Sequence, residues 1–426
     1  MAAALGVLVS CGSVKSGEEV VAASRDSKVV VAYVTSWSEV MPDPQYMTHI
    51  NYAFGHVNES FNGVKIDNEE RLRQIVDLRK QKPELKVLLS IGGWGSGRFS
   101  EMAANDEYRR AFAADCDRVV KEFALDGIDI DWEYPTSSMA NISSSPDDTE
   151  NFTLLMQDIR AAIGNEKELT LATVASARYI DFKAILPSVD FVNIMAYDMA
   201  SAPKHHSALY PSGHSGDITS DGAVTAHLKA GVPPSKLVMG MPFYGRGGDG
   251  YPSFQDYNKV GNTDTQYTEK WDEVAQVPYL ADKNDTLVFG FENPRSLAIK
   301  CQYILDKDLL GGMYWDYSGD NEQGDLRRTV AENLLGKPHK AKVLVLTERG
   351  GQHGGFTDAG LRWLAAEGAK GNFSITEINN ARNITEAYLS QFSLVIQLDF
   401  PPYTWPKEAE DAFVKYIEEG RGGWIG

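Results

Sequence analysis

The chain has 426 residues, 43% hydrophobic and 23% charged, which admits one barrel-sized domain plus a smaller one. Its formal net charge of −18 argues against nucleic acid or an anionic membrane as partner, because phosphate binding draws on Lys and Arg. Aromatic residues make up 10%, and a neutral substrate with apolar faces is compatible with that supply.

Taken in order, Met1–Ser10 is nearly all apolar or small, and Leu8-Val9-Ser10-Cys11 resembles a bacterial lipoprotein processing box. Residues 12–27 are small and polar, as in a tether. The expectation is a lipoprotein signal and tether over 1–27, lipidated at Cys11. The protein is then exported and anchored at a bacterial cell surface or outer membrane, or secreted. The usual basic start is missing, which points to a truncated N-terminus. Cys116 and Cys301 fall in amphipathic patterns and read as small buried hydrophobes, so the three cysteines form no disulfide framework. No other stretch reaches transmembrane length.

Strand patterns follow at Val29–Thr35, His49–Gly55 and Lys86–Gly93, with helical patterns at Asn68–Lys82 and Ala104–Leu125. Then comes Asp126-Gly127-Ile128-Asp129-Ile130-Asp131-Trp132-Glu133-Tyr134-Pro135. Side chains alternate faces along a strand, so Asp129, Asp131 and Glu133 share one face and Ile128, Ile130 and Trp132 the other. An apolar back wants cover, so the acids line an interior or a cleft. Burying unpaired carboxylates costs several kcal/mol each, which marks them as chemical.

Beyond it, helical patterns at Asp147–Gly164, Asp221–Ala230, Asn293–Asp308 and Gly324–Leu335 separate strands at Leu169–Val174, Phe191–Tyr197, Leu237–Phe243 and Gly311–Asp316. Eight strands mostly alternating with helices predict parallel strands closed into a (β/α)8 TIM barrel over 28–337. Each notable cluster ends a strand, where that fold gathers its functional residues: Ser90 to Gly93, Asp131 with Glu133, Met195 with Tyr197 and Asp198, and Trp315. Between Tyr244 and Gly311 lie roughly 65 residues, long for one βα unit. They must also hold the seventh helix, so a reduced insertion is expected before the last strand.

Asp126-x-x-Asp129-x-Asp131-x-Glu133, followed by Tyr134-Pro135, resembles the signature of glycoside hydrolase family 18, the chitinase family. The resemblance implies Glu133 as general acid and then general base, its pKa raised by burial and nearby like charge. It implies that Asp131 turns between Asp129 and the substrate N-acetyl group, with Asp129 and Asp131 titrating as a pair. The acetamide oxygen is then the nucleophile, giving an oxazolinium ion, unlike the two-carboxylate scheme of most glycosidases. Asp126 is expected to be structural. Tyr197 and Asp198 match the pair that holds the acetamide, Met195 lies beside them, and Trp315 matches the tryptophan under the cleaved sugar. Tyr33 and Phe54 resemble the pocket aromatics. Ser90, Gly92, Gly93 and Trp94 match a second signature, whose glycines suit unusual backbone angles or close approach. Tyr244 and Arg246 also match; Arg246 either donates to a sugar hydroxyl or pairs with an acid. Trp315-Asp316-Tyr317 departs from many relatives and bears on substrate detail.

The implied substrate is chitin or N-acetylglucosamine oligosaccharides, cleaved at β-1,4 linkages with retention. No metal, cofactor or nucleic acid is implied, and a monomer is expected. The alternatives are an endo-β-N-acetylglucosaminidase acting on N-glycan cores and a non-catalytic chitin-binding lectin, the latter opposed by the presence of Glu133.

Residues 338–341 mark a boundary. Strand patterns at Lys342–Leu346, Ser374–Ile378 and Ser393–Leu398, interleaved with helices, resemble the start of a flavodoxin-like domain of the trehalose-utilisation (ThuA-like) type over 341–426. The doubly wound sheet looks incomplete, which suggests truncation, and no chemistry is assigned to it. His353 reads as a loop histidine.

Overall fold

A computed structural model of the chain describes residues 28–248, 251–260, 267–335, 341–347, 354–368, 373–382, 384–398 and 405–426. Cys11, the tether and His353 lie outside them. The chain divides at residues 336 and 337 into two compact units.

The first unit runs β1 (Val29–Thr35), β2 (His49–Val57), β3 (Val64–Ile66), β4 (Lys86–Gly92), β5 (Gly127–Asp131), β6 (Glu168–Val174), β7 (Phe191–Met195) and β8 (Leu237–Pro242). An excursion follows: β9 (Tyr244–Gly247), β10 (Gln255–Asp256), β11 (Thr268–Asp272), β12 (Val277–Ala281) and β13 (Leu287–Gly290), before β14 (Gly311–Trp315). The order β1-β14-β8-β7-β6-β5-β4-β2, closed by β1 pairing with β2, is an eight-stranded parallel barrel. This is the expected TIM barrel, with β3 added as a hairpin partner of β2.

Alternation along each strand sorts two cores. Val30, Ala32 and Val34 face the layer between barrel and helices, while Val31 and Tyr33 join Ala53, Phe191 and Met313 inside the barrel. On β5 the same rule places Ile128, Ile130 and Trp132 in the outer layer. Trp132 stacks on Phe99 at 5.3 Å and meets Phe152 edge-on at 6.0 Å, so helices cover the apolar back as the pattern requires. Cys116 and Cys301 are buried in that outer layer.

Two sequence expectations shift, and a third, the insertion, gains its detail. The helix expected over Asn68–Lys82 is α-helical over Glu69–Val76 and tightens to a 3₁₀ turn over Asp77–Lys80. The helix expected from Ala104 begins at Asp106, because the Asn105 side chain caps it by accepting from the backbone N–H groups of Glu107 and Tyr108. A separate short helix, Phe99–Ala104, precedes it. The insertion is a five-stranded antiparallel sheet in the order β10-β9-β13-β12-β11, and the seventh helix, Pro294–Asp306, comes after it.

The second unit holds β15 (Ala341–Thr347), β16 (Phe373–Ile378), β17 (Leu394–Leu398) and β18 (Gly423–Ile425), all parallel, in the order β16-β15-β17-β18. That is 2-1-3-4, the first four places of the flavodoxin-like order. Leu344 and Leu346 face one layer and Val343 and Val345 the other, so both faces of the sheet are covered.

Candidate active site

β5 carries acids from one end of the barrel to the other. At its N-terminal end Asp126 accepts from the Val87 N–H at 2.7 Å and pairs with Arg79, the structural role expected of it. Asp129, fully buried, accepts four hydrogen bonds from four other strands. Tyr33 and Ser90 donate to Oδ2, each at 2.8 Å; Thr170 and Asn193 donate to Oδ1 at 2.6 and 3.3 Å. Burial raises its pKa, and these four donors pull it back part of the way.

Asp131 is the next inward residue, and its Oδ1 is buried with no hydrogen-bond partner. Its pKa stands well above the usual carboxylate range, first from burial, then from the charge of Glu133, then from that of Asp129. Asp129, the partner expected for Asp131, does raise its proton affinity, but it is not the neighbour with the largest effect. Asp129 is quenched by donors, and Glu133 is the stronger like-charge neighbour of Asp131. Glu133 itself stands just past the end of β5. Burial raises its pKa from 4.5 to about 7, opposed by the Tyr134 hydroxyl and reinforced by Asp198. A carboxyl poised near neutrality is what proton transfer to a leaving oxygen needs.

These acids open into a cleft of about 680 Å³ at the C-terminal mouth of the barrel. Trp315 ends β14 on its floor, stacked on Phe54 at 5.6 Å and tilted against Tyr33 at 5.6 Å. Tyr197 and Met195 line it beside Asp131, and the Tyr197 hydroxyl pKa is raised first by burial and then by Asp131. Trp94 stands on the rim, 61% exposed. Tyr244 and Arg246 form a further wall from β9. Arg246 resolves its two readings toward the acid. Its Nε and one terminal nitrogen each donate at 2.7 Å to Asp198, a bidentate fork. Burial alone raises the Asp198 pKa, but Arg246 and then His206 outweigh it and hold this carboxylate well below its usual range.

Gly92 and Gly93 do not line the cleft. Gly92 has φ of +131°, and a Cβ there would lie 2.0 Å from the Asp131 carbonyl oxygen. A Cβ on Gly93, φ +92°, would strike the Phe54 ring at 2.6 Å. The Gly93 N–H donates to the Asp131 carbonyl at 2.8 Å. These glycines act on the site indirectly, by letting two strands close around Asp131 and seating the Phe54 ring.

Sequence reasoning missed several cleft residues. Trp37, 64% exposed, stands 6.5 Å from Trp315. Tyr134 stacks on Tyr179 at 5.5 Å, and Phe254 stacks on Tyr244 at 4.7 Å. Phe254 had no signal, lying in a polar, glycine-rich excursion; Tyr134 was in view as part of the acid motif but drew no role.

The sequence profile of glycosyl hydrolases family 18 matches residues 29–320, and that of the trehalose utilisation family residues 342–426. Chitinase A1 of Niallia circulans is 30% identical over 409 residues, covering 71% of this chain, which spans 58% of that relative's length. Mouse (Mus musculus) chitotriosidase-1 is 31% identical over 350 residues, covering 69% of this chain and 74% of its own. A family 18 N-acetylglucosaminidase structure from Paenibacillus barengoltzii superposes with a TM-score of 0.67 at 32% identity, covering 72% of this chain and all of that one (100%). The Ostrinia furnacalis Group IV chitinase gives 0.66 at 28% identity, covering 72% and 99%.

Proposed function

This chain belongs to glycosyl hydrolases family 18, and we propose that it is a chitinase, cleaving β-1,4 linkages between N-acetylglucosamine units with retention. The observation that supports the reading best is that Asp131 Oδ1 is buried and takes no hydrogen bond from the described residues. A buried carboxylate oxygen without a partner is expensive to keep, and the charged groups that shift Asp131 are two further acids, Glu133 and Asp129. An acetamide N–H supplies the missing donor. In this scheme Glu133 gives its proton to the glycosidic oxygen while the substrate's acetamide oxygen attacks C1. The C1–O bond breaks and an oxazolinium ion forms, its positive charge balanced by Asp131. Water then attacks C1, Glu133 takes its proton, and the double displacement retains the β configuration. No protein side chain attacks the anomeric carbon.

Partly deacetylated chitosan tests this directly. New reducing ends should carry N-acetylglucosamine; glucosamine there in appreciable amounts would mean a protein nucleophile and overturn the scheme. Mass spectrometry of products from chitin oligomers and from a high-mannose glycoprotein separates a chitinase from an endo-β-N-acetylglucosaminidase. The likeness to an N-acetylglucosaminidase structure favours a second reading, release of single sugars, which the same product sizes decide. For Cys11, the box Leu8-Val9-Ser10-Cys11 supports lipidation and export; fatty-acid labelling lost in Cys11→Ser is the check.

A further inference from the structure

Asp198 is flanked on two sides, by a guanidinium and by an imidazole. Arg246, from β9, forks onto both its oxygens. On the other side lies His206, eight residues downstream in the loop that follows β7. Its ring is completely buried, and Nδ1 stands 3.5 Å from Asp198 Oδ1. Neither ring nitrogen makes a hydrogen bond with the described residues. The ring is held in place rather than free to search for a partner. The His206 carbonyl accepts from Met199 N–H at 3.0 Å, and the ring packs against Tyr244 at 5.4 Å. Next to it, His205 is fixed to Asp272 of the insertion sheet at 3.2 Å.

Each imidazole nitrogen carries either an N–H or a lone pair. A lone pair on Nδ1 would face a carboxylate and repel it, whereas an N–H there is a donor aimed at Oδ1. We infer that His206 is a positioning residue for Asp198: an imidazole whose Nδ1 carries a proton facing Oδ1 and that, with Arg246, keeps the carboxylate aimed into the cleft. The fork of Arg246 fixes the plane of the carboxylate. The second donor, off that line, keeps it from pivoting about the guanidinium. The other groups that face Asp198 are Glu133, past the end of β5, and the hydroxyls of Tyr134, Tyr197 and Tyr244. None of these is a cation. Removing the imidazole therefore leaves Arg246 alone to favour the anion, and the proton affinity of Asp198 rises.

The inference rests on Asp198 facing substrate. His206→Leu removes the donor, and His206→Asn returns an amide N–H close to the Nδ1 position. In the Leu variant the acid limb of kcat/KM on N-acetylglucosamine oligosaccharides should move to higher pH and KM should rise about tenfold; Asn should restore most of both. An acid limb unchanged in Leu, or an Asn variant no better than Leu with both folded, overturns the inference. Nitrogen NMR of the wild-type imidazoles gives an arm read on the wild-type enzyme itself, with His206→Asn, once shown to be folded, used only to assign the signal. A His206 ring protonated on Nδ1 supports the assignment, and one protonated on Nε2 alone overturns it. Failure of the underlying reading looks different: Asp198→Ala would then turn over like wild type, whatever His206 does.

Discussion

Two regions of the barrel unit bury carboxylates, and they treat them in opposite ways. Beneath the insertion sheet, Glu292 and Lys300 are paired with both side chains fully buried; Ser207 donates its hydroxyl to Glu292 at 2.6 Å, and its carbonyl accepts from Lys300 at 2.5 Å. In the mouth, Asp131 and Glu133 have no cation. Their proton affinities rise, first through burial. The first arrangement settles the charge within the protein by pairing it with a cation, although Glu292 Oε2 makes no hydrogen bond of its own. The second leaves a proton on Glu133 and an acceptor on Asp131 without a donor from the described residues, both of which a substrate can use. Burial of acids is therefore not itself the mark of the active site; burial without compensation is.

The comparison breaks most sharply at Glu133. Glu133→Gln should lower turnover of chitin oligosaccharides by about 10²–10⁴, the usual share of a general acid–base group, while the fold and sugar binding persist. Wild-type turnover in a folded variant would end the assignment. Lys300→Met should do the reverse. It strands Glu292 in the interior, at a cost of roughly 3–5 kcal/mol. Denaturant unfolding should show most of that loss recovered by adding Glu292→Gln, and kcat of the folded enzyme should change by less than a few-fold.

The pH dependence of stability separates the regions next. The Glu133 pKa is 4.5 when unperturbed and about 7 in the fold. Between those values the folded state binds more protons than the unfolded chain, so its contribution is full below pH 4.5 and is lost as pH rises through 7. The loss is on the order of 2–4 kcal/mol at this one site. Thermal melts of Glu133→Gln should therefore decline less than wild type across that window. An identical decline would mean that Glu133 titrates normally. For the reaction, the alkaline limb of kcat/KM should fall near pH 7 as the free enzyme loses this proton.

Much of this was legible in the sequence because β5 states it locally. The period-2 alternation of Asp129, Asp131 and Glu133 against Ile128, Ile130 and Trp132 specifies two faces within eight residues, and the barrel honours them. What failed to show was carried by distance along the chain. The donors to Asp129 come from β1, β4, β6 and β7, up to 96 residues away. Arg246 reaches Asp198 across 48 residues, and no local pattern could choose between its two readings. The strands of the expected insertion escaped because they are short; β10 has only two residues, and β12, buried on both faces, shows no apolar–polar alternation. Gly92 and Gly93 were recognised as special, but their role belongs to the neighbouring strand's carbonyl and to the Phe54 ring.

The smallest expected effect sharpens the comparison within the acid motif itself. Asp126 belongs to the same run as Glu133, although the sequence reading already expects it to be structural. The fold separates them to opposite ends of β5. Asp126 Oδ2 takes the Val87 N–H at 2.7 Å and the Arg79 guanidinium, and its side chain is 30% exposed. It is thus compensated, like Glu292, but near solvent, where an ion pair contributes about 0–1 kcal/mol. Asp126→Asn keeps one oxygen for the Val87 N–H and loses the charge facing Arg79. The expected loss is about 1 kcal/mol of stability, roughly 2–4 °C in melting temperature for a domain somewhat smaller than this one, with kcat/KM within about twofold of wild type, well short of the general-acid contribution. If Asp126→Asn instead lost turnover on the scale of Glu133→Gln without unfolding, compensation would not be what divides structural from catalytic acids here.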